Sequence, residues 1–151
     1  MMTHTLTGLT QDQLVNLLST ALTGNNALAI DYDPENEFSK KGYYIEDSAA
    51  LTLLNGGFII LTDLYAEDEE DTQGEYTDTT FWNDYWNAIS YPITYKDILD
   101  RLNKILAKDD ENSKWCHKLL AALEDEDGCD FDFFDGWNLV QFIMFGDVIY
   151  G

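Results

Sequence analysis

Basic side chains are scarce in this sequence. Eight Lys and Arg stand against 29 Asp and Glu in 151 residues, a formal net charge of −21. A chain so short of cations has little with which to hold a polyanion, so direct binding of nucleic acid or of an anionic membrane is disfavoured by sign. Cysteine is nearly missing as well. Cys116 and Cys129 are too few for a disulfide scaffold and have no CxxC spacing, which leads to the expectation of a reduced, cytoplasmic protein. No apolar run approaches the ~18 residues of a membrane span. The opening MMTHTLTGLT has neither the basic nor the apolar region of a secretion signal.

The chemical fingerprints are absent too. There is no GxGxxG, GxxxxGK[ST], GxSxG or HExxH, so nucleotide-binding and hydrolase readings have no residues to stand on. Gly56-Gly57 follows Asn55 and precedes no Lys, which reads as a turn. His4 lies at the terminus. His117 adjoins Cys116 on an expected helix, where neighbours point about 100° apart and make a poor nucleophile–base or metal pair. A calcium loop counted from Asp130 fails at three places: Phe134 stands at position 5, Asp135 at the glycine position and Gln141 at the final glutamate. The expectation is a protein with no catalytic residues, no cofactor and no metal.

What is present is a core and a great deal of placed acid. Hydrophobic residues make up 45% and aromatics 14%, with two prolines, so the chain has the apolar content to fold despite its charge. Its length suits one domain, 1–151, with no repeat and no linker. The charge is uneven. Residues 1–94 carry −14, residues 95–118 carry +1 and hold six of the eight bases, and residues 119–151 carry −8 with no base at all.

Along the chain, Thr10 with Gln13 makes a capping box for a helix over Gln11 to Thr23, closed by Gly24. Ala27 to Tyr32 reads as a strand, followed by the turn Asp33-Pro34-Glu35-Asn36. After Lys40-Lys41-Gly42 a second short strand, Tyr43 to Ile45, would complete a loose hairpin. Ser48 to Leu54 fits a helix or a strand, and Phe58 to Tyr65 a central strand. Thr80 to Ile89 reads as a helix, with Phe81, Tyr85, Ala88 and Ile89 on one face and Trp82 and Trp86 as an i, i+4 pair beside it. Large aromatics dominate burial, so this surface is read first as core, and either tryptophan, if exposed, is the best interface anchor in the chain.

Thr94 and Asp97 start the clearest helix, and Ser113 is placed to cap the next, giving a helical hairpin. Its Lys96, Arg101, Lys104, Lys108, Lys114 and Lys118 are placed to neutralise the acid on either side. Gly136 leads to an apolar Trp137 to Phe145, expected as a buried strand, and Val148 to Tyr150 as a last one. The reading is a single α+β domain, with a mixed or antiparallel sheet of four to six strands and three or four helices.

Two segments concentrate the acid. Residues 66–78 hold Glu67, Asp68, Glu69, Glu70, Asp71, Glu75 and Asp78. Residues 124–135 hold Glu124, Asp125, Glu126, Asp127, Asp130, Asp132 and Asp135. Neither segment contains a base. If Asp130 to Phe133 is extended, its period of two lets Phe131 and Phe133 bury while Asp130 and Asp132 project. These fourteen carboxylates are the expected partner-binding set.

An anionic surface attracts a basic protein and speeds its arrival. Alternate carboxylates on an extended strand lie ~6.8 Å apart, twice the ~3.4 Å rise per phosphate on one DNA strand. In charge, size and scattered aromatics the chain is similar to phage and plasmid DNA-mimic inhibitors of restriction or CRISPR systems, a compositional similarity that assigns no residue roles. The expectation is an inhibitor of a basic nucleic-acid-binding enzyme. An immunity-type protein neutralising one basic nuclease toxin shares the same charge logic, and a charge serving solubility alone is the third alternative. The sequence leaves open whether the chain also forms a homodimer.

Overall fold

The computed structural model describes residues 5–32, 44–125 and 130–150. Within them run α1 (Gln11–Leu22), β1 (Leu28–Tyr32), α2 (Ile45–Leu54), β2 (Phe58–Asp63), a 3-10 turn (Thr77–Thr79), β3 (Phe81–Asn83), β4 (Ala88–Thr94), α3 (Tyr95–Leu106), α4 (Glu111–Glu124) and α5 (Phe133–Phe145). The sheet is antiparallel throughout, in the order β1-β2-β4-β3. The fold is α+β, with five α-helices among the described residues where three or four were expected.

Alternation along the strands separates two faces. Leu28 and Ile30 of β1, Ile59 and Leu61 of β2, and Ile89, Tyr91 and Ile93 of β4 join one buried core with residues of all five helices. The helices therefore form a layer on that inner face. α5 runs through the centre of it, with Leu139, Val140, Phe142, Met144 and Phe145 fully buried. It passes so close to α1 that a Cβ on Gly136 would stand 2.7 Å from the Ala21 nitrogen.

Local sequence accounts for the helix starts. The Thr10/Gln13 and Thr94/Asp97 capping boxes form as expected. α4 is capped differently. Asp110, not Ser113, accepts at its N-terminus, from the Ser113 N–H at 2.8 Å, while the Ser113 hydroxyl donates to Leu106 O at 2.9 Å and ties α4 to the end of α3.

Four expected strands or helices differ. Tyr44 and Ile45 are the cap and first residue of α2, not a strand, and α2 resolves the ambiguity at Ser48 to Leu54 as helix. Thr80 to Ile89 is not a helix but the β3–β4 hairpin. The Asn83 side chain accepts from the Tyr85 and Trp86 N–H groups at 3.0 and 3.4 Å, and Asn87 takes φ +50, so turn chemistry outweighs a fortuitous helical spacing. Trp137 to Phe145 is helical because Asp132 and Asp135 form a third capping box, and a helix apolar on all sides suits a position buried on all sides. Val148 to Tyr150 is not a strand. Its backbone is held instead by the buried Gln141 side chain, which accepts from the Ile149 and Tyr150 N–H groups at 2.9 and 2.7 Å. His4, the turn at Asp33 to Asn36, Lys40 to Tyr43, Glu126, Asp127 and Cys129 lie outside the described residues.

Candidate functional site

The acidic segment 66–78 leaves the end of β2 and is tied down along its length. The Asp71 carboxylate accepts the Glu67 and Asp68 N–H groups at 2.8 and 3.2 Å, and Asp68 accepts that of Glu70 at 2.8 Å. The Gln73 N–H donates to the Tyr91 hydroxyl at 3.1 Å, and the Glu75 N–H to Phe145 O at 2.9 Å. Gly74 crosses the end of α5 at φ +78, where a Cβ would lie 2.2 Å from Phe145 O. Glu67, Asp68, Glu69, Glu70 and Asp78 are exposed.

Glu75 is different from those carboxylates. Lys104 and Lys108 meet it at 2.9 and 3.4 Å, and the Lys104 hydrogen bond foremost holds its carboxyl below the usual range. Next to it the buried Arg101 lies 3.8 Å over the Tyr76 ring and donates to Ile143 O at 3.0 Å. Lys104 of α3 and Lys108 just beyond it thus balance charge inside the molecule at this point.

The second acidic segment is divided. Glu124 and Asp125 are exposed at the end of α4, and Asp130 is exposed before α5. Asp132 and Asp135 have a backbone role: Asp132 accepts the Asp135 N–H at 3.0 Å and Asp135 the Asp132 N–H at 3.2 Å. Partial burial raises the Asp135 carboxyl above its ordinary range. Because Asp132 ends the extended stretch, the expected alternation fails. Phe131 buries, but Phe133 turns out to solvent and pairs with Phe134 at 4.1 Å between ring centroids.

The Asp132/Asp135 pair and Glu75 do not converge. The Asp132/Asp135 box starts α5 and Glu75 is bonded to its last residue, so the helix separates them by about 20 Å at ~1.5 Å per residue.

A third surface was not visible as such in the sequence. The outer face of the sheet carries Asp31 from β1, Phe58, Ile60 and Thr62 from β2, Ser90 and Pro92 from β4, and Phe81 from β3, by alternation and register. Thr62 and Ser90 are buried and share a hydrogen bond of 2.7 Å, to which Asn83 adds one of 3.0 Å. Around this polar centre Phe58 is 46%, Phe81 42%, Trp86 37% and Tyr85 83% exposed. Trp86 folds back from the β3–β4 turn, and its indole N–H donates to Asp31 Oδ2 at 2.7 Å. Tyr85 stands edge-on to it at 5.1 Å. Trp82, by contrast, packs inward against the core. The readable signal was the Phe58/Ile60/Thr62 alternation, hidden because Ile59 and Leu61 make the whole strand apolar.

Cys116 is buried, and burial pushes its thiol up to about 12, which keeps it protonated at neutral pH. Among the described residues no group of three or more His, Cys, Asp or Glu is arranged to hold a metal ion, and no helix is long and apolar enough to cross a membrane. Compared with known protein families, curated proteins and solved structures, the chain shows no match.

Proposed function

We propose that this protein is a non-catalytic acidic inhibitor that acts in the cytoplasm by occupying the basic nucleic-acid-binding surface of a host defence enzyme, of the restriction or CRISPR type. The observation that carries the reading is exposed acid on ordered backbone, in a chain of net charge −21. Glu67, Asp68, Glu69 and Glu70 stand on a loop whose backbone is hydrogen-bonded in place. Glu124 is exposed at the end of α4 and Asp130 shortly before α5. Fixed charges of this kind do not have to be ordered on binding, which favours both rate and affinity.

The test is capture of the partner on the immobilised protein at low salt, with mass-spectrometric identification and competition by duplex DNA. A nucleic-acid-binding defence enzyme released by DNA is the expected result. One basic toxin that DNA does not displace would move the assignment to an immunity-type protein, and the absence of any specific partner would leave the charge to solubility.

A further inference from the structure

The outer face of the sheet joins three features. It is apolar and aromatic, through Phe58, Ile60, Phe81, Tyr85, Trp86 and Pro92, and the helices occupy the opposite face. It holds a carboxylate, Asp31, in contact with an indole. It belongs to a molecule with a large surplus of negative charge. We propose that this face docks an arginine-bearing patch of a basic protein, with one guanidinium paired to Asp31 and laid against the Trp86 ring.

The chemistry selects the occupant. Trp86 engages only Oδ2 of Asp31 among the described contacts, so Oδ1 is placed to accept from a guanidinium. Guanidinium is planar and weakly hydrated, forms forked bonds to carboxylates and stacks on aromatic faces, whereas the strongly hydrated ammonium of lysine gains less from the rings. Exposed Tyr and Trp beside a charge acceptor are the residue types that dominate interface energetics. A second copy of this chain fits poorly, because two molecules of charge −21 would have to meet face to face. The surface deepens the inhibitor reading and rests on it. The acidic segments would draw a basic partner in, and the sheet face would hold it at short range, where screening over ~8 Å in physiological salt no longer decides affinity.

The probes are an arginine nonamer and a lysine nonamer, titrated into the intact protein near ~0.15 M salt. Binding is read by calorimetry and by amide and indole NMR shifts. The expected result is tighter binding of the arginine peptide, with shifts at the Trp86 indole N–H and along β1, β2 and β4.

Asp31→Asn should weaken binding about fivefold or more. Glu69→Gln, which changes net charge equally on the 66–71 turn, should weaken it about twofold or less. Phe58→Ser combined with Phe81→Ser and Tyr85→Ser leaves the charge unchanged and should also weaken binding about fivefold. If that triple variant does not fold, the matched pair of single substitutions decides alone.

Equal effects of Asp31→Asn and Glu69→Gln, or shifts confined to residues 66–71, overturn the sheet-face site while leaving an acidic binder in place. Failure of both peptides to bind removes both readings. A homodimer broken by Asp31→Asn would assign the face to a second copy and overturn the proposal.

Discussion

Asp63 shows how this chain tolerates its own charge at single positions. It is fully buried at the end of β2, with Oδ1 accepting the Tyr65 N–H at 3.0 Å and Oδ2 the Tyr150 hydroxyl at 2.7 Å. Burial raises its carboxyl above the ordinary 3.8 more than those hydrogen bonds lower it, and pushes the Tyr150 hydroxyl up as well. A raised carboxyl binds its proton more tightly in the folded than in the unfolded chain. Its contribution to stability is therefore complete below the unfolded value and is lost as pH rises through the folded one. Glu75 has the opposite sign: its paired carboxylate stabilises above 4.5 and loses that contribution as pH falls. Asp63→Asn keeps both bonds, since the amide oxygen accepts from Tyr65 and the amide N–H donates to the tyrosine oxygen. The melting temperature of that variant minus that of the parent should increase from about pH 4 to about pH 7. A difference that stays flat would mean that the buried charge carries no penalty.

At the scale of elements, Asp132 shows that an acidic cluster and a helix start can be the same residues. It caps α5 in a box with Asp135. Asp132→Ala should lower unfolding stability by about 1 kcal/mol in denaturant melts, whereas Asp132→Asn, an equally good cap, should leave it nearly unchanged. Equal losses in the two variants would assign the effect to charge, not to capping.

The same element marks how much of the fold could be read in the sequence. α1 and α3 were legible because a capping box and an amphipathic stripe agree there. α5 was not, because a helix buried all round has no polar face to give it a period. The β3–β4 hairpin was misread because Phe81, Tyr85, Ala88 and Ile89 happen to match a helical spacing, while the deciding signals were Asn83 and Asn87. The acidity of the candidate site was visible in composition. The aromatic sheet face depends on strand register and on the return of Trp86 to Asp31, both set by tertiary structure.

For the whole molecule, stability and binding should respond to salt with opposite signs. The ion pairs among the described residues, Lys96–Asp100, Lys104 and Lys108 with Glu75, and Lys114–Glu111, engage four of the six bases described there, against 29 acids in the chain. The large acidic surplus is therefore left to repel itself, a cost to the compact state that weakens as the screening length falls from ~10 Å at 0.1 M salt to ~3 Å at 1 M. Added NaCl should raise the melting temperature across that range. Attraction to a basic partner is screened by the same ions, so its dissociation constant should increase over the same titration, chiefly through slower association. Asp31→Asn should act mainly on the dissociation rate, because a short-range, partly desolvated contact is less screened than the encounter. A melting temperature that falls with salt would mean that the internal pairs outweigh the repulsion. In that case the surplus charge would not be the strain on the fold inferred from its composition.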